Sequence, residues 1–438
     1  MTAAIVGFAV LLGLIAIRMP IGLAMLVVGG VGYVSFVGTN PFLHYIKTTP
    51  YHLFANYTLS VIPLFILMGA LAERSGLSTD LFKAAGRAFG HRKGGLAMAV
   101  IGACTLFGAI CGSSVATTAT FSRAALPELR RFGYDAGLAS ATVAVGGTLG
   151  ILIPPSVILV VYAIATEQNI VKLFQAALIP GLMASFFYCL VIGWVVRRNP
   201  GLAPAMSADD NAHESGGSLS RIWPAILVAI TVVGGIYGGV FTPTEAAAVG
   251  AAAMLLIGLV RRTLGLAEIK LSLLQTAETT AMIFLILLGA EVFNAFLALS
   301  QLPSAAAEQI AGSGFSPYMI LAMLLAFYIL LGAVMDELAM ILLTLPVFFP
   351  IVSALDFGLP AEEVAIWFGI LVLIVVGIGL VAPPIGLNVF VVGAIAKDVP
   401  IMSTYRRVLP FVGIDIVRLV LVASFPALAL ALVRFFNN

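Results

Sequence analysis

Apolar stretches of about 17 to 30 residues follow one another from Ala3 to Phe435, and about 20 residues in helical geometry suffice to cross a bilayer. Polar and charged residues gather between them. This pattern predicts an all-α polytopic membrane protein with helices near 2–18, 21–38, 53–72, 172–196, 223–241, 243–260, 277–299 and 407–432. The remaining apolar stretches have a different character. Those at 96–126 and 318–352 carry small or polar residues at their midpoints and predict helical hairpins that enter and leave the membrane on one side. Those at 136–165 and 364–396 each contain a glycine followed by a double proline.

That double-proline pattern occurs twice, as Gly150-Ile-Leu-Ile-Pro154-Pro155 and as Gly379-Leu-Val-Ala-Pro383-Pro384. Proline cannot donate a backbone hydrogen bond and its ring displaces the carbonyl one turn earlier, so each run must break its helix. In hydrocarbon the freed carbonyls need ions, water, substrate or protein as partners. Paired breaks in corresponding halves of a chain are the mark of a secondary transporter's midplane site.

The halves match elsewhere. Ala163-Ile-Ala-Thr-Glu-Gln-Asn-Ile-Val parallels Ala394-Ile-Ala-Lys-Asp-Val-Pro-Ile-Met, and Leu64-Phe-Ile-Leu-Met-Gly-Ala70 parallels Phe284-Leu-Ile-Leu-Leu-Gly-Ala290. Residues 1–196 then form one repeat, with scaffold helices in 1–72 and a hairpin and broken helix in 96–165. Residues 222–438 form the second, with scaffold helices in 223–299 and a hairpin and broken helix in 318–396. The polar run 197–221 joins them as a cytoplasmic linker. Basic residues set the orientation, because cytoplasmic loops retain Lys and Arg. Arg74, Lys83, Arg87, Arg92 and Lys93 fill one loop whose counterpart, Gln301 to Pro317, has none. The repeats are therefore expected to be inverted, with both termini outside. Lys47, Lys172, Arg418 and Arg434 are the basic residues that do not fall on the cytoplasmic side.

Composition narrows the class. Hydrophobic residues make up 61% and charged residues 10%, against roughly 25% charged in globular chains, and the mean hydropathy is +1.13. The start has no basic segment with a small-residue cleavage site, so the first helix is expected to stay in the mature protein. Cys104, Cys111 and Cys189 lie in apolar segments and are odd in number, which argues against a disulfide framework or a metal site. The four histidines lie in or beside loops. An intramembrane enzyme is not expected, and no Gly-x-x-x-x-Gly-Lys phosphate loop is present, so an ion gradient should supply the energy. A net charge of +2 gives no ground for a nucleic-acid partner.

Candidate chemistry sits at the hairpin tips and the breaks. Gly112, Ser113, Ser114, Thr117 and Thr118 at the first tip combine close approach with hard oxygen ligands. The second tip, Gly332-Ala-Val-Met-Asp336-Glu337, carries an acid that is either an ion ligand or a hydrated loop-end carboxylate. Glu337 is expected to point away into solvent. Half-helices resuming at Ser156 and Ile385 direct their positive ends inward, which favours an anionic ligand. Asn388 could present its amide to substrate or cap the resumed helix. Gly112, Thr117, Ser156 and Asn388 are the candidate substrate contacts. Asp415 and Arg418, three apart, are expected to neutralise each other, Glu245 and Glu291 to make contacts between helices or subunits, and Arg123 to reach toward the cytoplasm.

Gly112-Ser113, the Gly150 to Pro155 break, Phe241-Thr-Pro-Thr-Glu245-Ala-Ala, Gly332 to Asp336 and Pro383-Pro384-x-Gly386-x-Asn388 occur in an order that resembles the large membrane subunit, DctM type, of tripartite ATP-independent periplasmic (TRAP) transporters. The resemblance runs the full length. It implies sodium symport of an organic anion, a C4-dicarboxylate or sugar acid, across the bacterial inner membrane, with a periplasmic binding protein and a small four-helix membrane subunit. Without a fused copy here, that subunit should be a separate polypeptide. The resemblance also implies an elevator and two sodium sites, near Ser113, Ser114, Gly147, Gly150 and Pro154 and near Gly332, Asp336, Gly377, Gly379 and Pro383, and it leads one to expect a small residue where Arg123 stands. No cofactor other than the coupling ions is implied. The alternative is a stand-alone ion-coupled carrier of the same architecture, and a passive pore is the reading from a different class.

Overall fold

The structure is a computed structural model that describes residues 2–205, 222–311 and 314–437. The described residues form helices joined by turns, and no strand is found among them. The first half contains α1 (Thr2–Ala16), α2 (Ile21–Val37), α3 (Thr39–Phe54), α4 (Val61–Arg74) and α5 (Leu77–Phe89). A hairpin follows, α6 (Gly95–Cys111) and α7 (Ser114–Arg131), then an interrupted helix, α8 (Ala136–Leu152) and α9 (Val157–Ala165), then α10 (Ile170–Arg198). The second half contains α11 (Trp223–Tyr237), which includes a π-helical turn at Ile230–Gly234. After it come α12 (Pro243–Val260), α13 (Leu266–Leu299) and α14 (Leu302–Ala311). The second hairpin is α15 (Pro317–Gly332) and α16 (Glu337–Ser353), the second interrupted helix is α17 (Ala361–Gly379) and α18 (Leu387–Ile395), and α19 (Ile401–Ser424) and α20 (Ala427–Asn437) close the chain. Hairpin, interrupted helix and long helix thus appear twice in the same order.

Local chemistry fixes many starts. Asp135, Asn169 and Ser316 accept backbone N–H bonds at the first turns of α8, α10 and α15. Thr242 and Glu245 form a reciprocal capping box on α12, with Pro243 in the first turn. Glu245, expected to make a contact between helices or subunits, caps its own helix.

Several boundaries differ from the sequence reading. The span placed at 53–72 begins at Val61, because residues 39–54 form the separate amphipathic α3 and a 3₁₀ turn, Tyr57–Ser60, leads in. Segment 74–93 contains α5, whose apolar face is buried against the first hairpin. The helix placed at 277–299 starts at Leu266, since the polar residues of its first turns do not interrupt helical geometry. The last span bends by 55° between Ser424 and Ala427, where Pro426 removes a donor. Of the expected linker 197–221, residues 206–221 lie outside the described residues; its first part ends α10 and makes a short turn at Pro200–Leu202.

Among the described residues, five helices are long and apolar enough to cross a membrane, and the bent pairs α8 with α9 and α19 with α20 add two further candidate spans. α2 and α13 cross at glycines: a Cβ added at Gly22 would lie 2.8 Å from the Leu285 carbonyl carbon, and one at Gly29 2.7 Å from the Phe293 Cα. Small residues that admit such approach are what drive helix association in lipid, where burying apolar surface gains little. α8 and α17 are buried along nearly their whole length, as expected of helices apolar on every side. They form the centre around which both hairpins pack.

Candidate functional site

The two hairpin tips are built alike. At the first, Gly112 takes the left-handed conformation (φ +65°), which glycine adopts without steric cost. Ser113 then caps α7, its Oγ accepting from the Ala116 N–H at 3.4 Å. At the second, Asp336 caps α16, its Oδ1 accepting from the N–H groups of Leu338 at 3.0 Å and Ala339 at 3.3 Å.

Each tip meets the break of its own interrupted helix, and each break contains a cis peptide, Pro154–Pro155 and Pro383–Pro384. The Val157 N–H donates to the Gly112 carbonyl at 3.4 Å, while the N–H groups of Ile385 and Gly386 donate to the Ala333 carbonyl at 3.3 and 3.4 Å. Glycines let the backbones touch. A Cβ at Gly150 would sit 2.5 Å from the Ser113 oxygen and on the Thr117 hydroxyl; one at Gly379 would sit 2.6 Å from the Gly332 carbonyl carbon. The sequence reading grouped Ser113 with Gly150 and Gly332 with Gly379, and the structure brings each of these pairs together. An added Cβ at Gly377 would face the Thr148 side chain on α8, at 3.9 Å from its Cβ.

Asn388 joins the halves. Fully buried, it donates from Nδ2 to the Ser114 Oγ at 2.8 Å and to the Ala144 carbonyl at 3.0 Å, and the Ser114 hydroxyl lies 3.2 Å from its Oδ1. Its backbone N–H bonds the Leu380 carbonyl at 2.9 Å. A Cβ at Gly147 would fall on the Thr118 hydroxyl beside Asn388, and the Thr118 Oγ1 has no hydrogen-bond partner among the described residues. Nearby, Thr148 lies 3.1 Å from the Tyr188 hydroxyl, which donates to Asp415 at 2.6 Å; Asp415 in turn pairs with Arg418 at 2.9 Å, all four side chains buried. The expected Asp415–Arg418 neutralisation is present, extended by a tyrosine.

A cavity of about 540 Å³ separates these tips from the frame helices α4 and α13. Gly112, Ser113, Asp336 and Glu337 line it from the hairpins, and Glu73, Arg74, Gln275 and Thr279 from the frame. Of the four candidate substrate contacts only Gly112 reaches this cavity. Thr117 is turned back to the Ser113 carbonyl at 2.7 Å, and Ser156 and Asn388 are buried behind the surface. Glu337, expected to point away into solvent, is 8% exposed and lines this cavity. Arg123 also lines the cavity and pairs with Glu73 at 3.3 Å, joining α7 to α4.

Glu73, Arg74, Gln275 and Thr279 were missed as site residues. Glu73 and Arg74 looked like the polar end of a span, and Gln275 fell outside a helix begun too late. The apolar run closing on adjacent opposite charges was the available signal.

A sequence profile described as "Tripartite ATP-independent periplasmic transporter, DctM component" matches residues 8–428. The chain is 39% identical to the C4-dicarboxylate TRAP transporter large permease protein DctM of Pseudomonas aeruginosa, over 86% of each chain. It is 31% identical to the sialic acid TRAP transporter large permease protein SiaM of Vibrio cholerae, over 87% of each chain. Among solved structures, the YdaH transporter of Alcanivorax borkumensis superposes with a TM-score of 0.67 at 16% identity, covering 94% of this chain and 98% of that one. This last likeness is one of fold.

Proposed function

Since the chain belongs to the DctM component family of tripartite ATP-independent periplasmic transporters, a family of multi-pass permeases rather than enzymes, we propose that it imports an organic anion, a C4-dicarboxylate or sugar acid, by sodium symport across the bacterial inner membrane. A periplasmic binding protein delivers the substrate and a small four-helix membrane subunit completes the permease. Both termini face the periplasm. Residues 1–196 and 222–438 act as inverted repeats.

One observation carries this reading: each hairpin tip is seated on the break of its own interrupted helix through glycine contacts, and the cavity lies between that paired unit and the frame. Hydroxyls and carbonyl oxygens collected at a break are hard ligands of the kind a sodium ion takes, and a broken helix in the membrane is tolerated where such partners exist. Ser113, Ser114, Gly147, Gly150 and Pro154 would serve one ion, and Gly332, Asp336, Gly377, Gly379 and Pro383 the other. Asn388 fixes the two breaks relative to each other, so the unit α6–α9 with α15–α18 moves as one body past α4 and α13, an elevator.

The test is uptake of labelled succinate and labelled sialic acid into proteoliposomes holding the chain and its small subunit. Uptake of either acid that needs an inward sodium gradient and the binding protein is expected. Uptake without the binding protein would instead identify a stand-alone carrier, and uptake indifferent to sodium would remove the ion assignments.

A further inference from the structure

Arg123 is the accessible cation of the cavity. It stands on α7 of the first hairpin with its side chain 66% exposed, at the cavity's mouth, and meets Glu73 of the frame helix α4 through a single contact, Nη1 donating to Oε1 at 3.3 Å. A guanidinium carries five N–H donors in a planar fork, and the other four have no partner among the described residues. The second guanidinium on the cavity wall is committed elsewhere: Arg74 donates from Nη2 to the Gln275 side chain at 3.0 Å, and its Nε is buried.

The Arg123–Glu73 pair is looser than these groups can make. Arg434 holds both oxygens of Glu363, from Nε at 3.0 Å and from Nη2 at 2.6 Å, the two-point geometry in which guanidinium and carboxylate bind most strongly. Glu73, fixed to its own helix, offers Arg123 one oxygen. A free carboxylate has no such tether and can present both. An exposed pair of this kind adds at most about fivefold to an equilibrium, so Glu73 is easily displaced. The approach is open as well: Val115, Ala116 and Ala119 continue the cavity wall from Ser113 to Arg123, and the two alanines leave room beside it. Ten residues of α7 separate Ser113 from Arg123, about 15 Å of helix, so a four-carbon acid held at Arg123 is clear of the hairpin tip.

We propose that Arg123 holds a substrate carboxylate at the mouth of the cavity, a station separate from the two breaks, and that this carboxylate takes the place of Glu73. This rests on the transport reading and gives its substrate a further contact. Because Glu73 belongs to α4 and Arg123 to α7, occupying the station also undoes a link between the first hairpin and the frame. The family resemblance leads one to expect a small residue at position 123, so the station is a property of this chain.

The two halves of the pair should shift anion affinity in opposite directions. The measurement is thermal stabilisation of the purified full chain with its small subunit, titrated with succinate and with sialic acid at constant ionic strength. Affinity should fall about tenfold in Arg123→Gln and less in Arg123→Lys, which keeps the charge but loses the fork. It should rise about two- to fivefold in Glu73→Gln, which removes the competing carboxylate. Succinamide, the uncharged analogue, should not stabilise the protein. Weakening by both Arg123→Gln and Glu73→Gln would make the pair a structural link and overturn the assignment, as would unchanged affinity in Arg123→Gln or a wild-type chain that neither acid stabilises. Opposite shifts with no sodium-driven uptake of either acid would retain the station and discard the transport reading.

Discussion

Gly379→Ala is the smallest change that tests how the second hairpin sits on its broken helix. The added methyl would lie 2.6 Å from the Gly332 carbonyl carbon, 2.7 Å from its Cα and 2.8 Å from its oxygen. Ordinary contact begins at 3.4 Å, so α15 and α17 must part by roughly 0.8 Å, since none of the three obstructing atoms belongs to a side chain that could rotate away. Overpacking of this kind costs about 1–3 kcal/mol, and a displacement near 1 Å in a binding geometry can cost about 100-fold in rate. Sodium-driven uptake by Gly379→Ala should therefore fall by about 10- to 100-fold at unchanged membrane expression, with the half-saturating sodium concentration raised. Gly150→Ala, which would meet the Ser113 oxygen at 2.5 Å, should behave alike. Gly102→Ala is the internal control: it lies in the first hairpin, its added methyl meets nothing within 4 Å, and alanine suits a helix better than glycine by up to about 1 kcal/mol. Wild-type uptake and sodium dependence in Gly379→Ala would refute the reasoning, as would equal damage from Gly102→Ala.

Other changes probe neighbouring links. Asn388→Ala removes two buried hydrogen bonds between the halves, worth on average about 0.6 and at most about 1.7 kcal/mol each inside a membrane, so half-saturating sodium should rise roughly 8- to 300-fold in uptake titrations. Arg418→Leu leaves Asp415 buried without its counter-ion and should lower stability by about 3–5 kcal/mol, read as a large fall in Tm of the purified protein; the double variant Asp415→Leu with Arg418→Leu should recover most of it. Cysteines at 73 and 123, joined by a short cross-linker, should arrest uptake until the link is cleaved; full transport while linked would mean α7 does not move past α4.

Much of this site was legible in the residues. A glycine before a double proline inside an apolar run has few structural outcomes in lipid, and both breaks lie where that chemistry puts them. The tips were legible for a related reason: Gly112 before Ser113, and Gly332 before Asp336, combine a turn with a capping side chain. Asn388 was found, but sequence offered substrate and cap as its roles, whereas its amide bridges Ser114 and Ala144, a contact spanning 274 residues of chain. Long-range pairing of that kind leaves no local pattern. Glu337 was misplaced because helical periodicity gives a direction relative to its own helix and not the position of α4 and α13 across the cavity. α3 and α5 were missed as helices because short amphipathic elements lack the apolar length on which the span assignments rested.

The most direct measurement is the entry of labelled sodium into proteoliposomes that hold the permease complex, with substrate and binding protein supplied outside. The account predicts sodium entry that requires both, rises in step with substrate uptake, and is lost together with uptake in Gly150→Ala and Gly379→Ala. Substrate accumulation with no accompanying sodium, or sodium entry that continues without substrate, would contradict it.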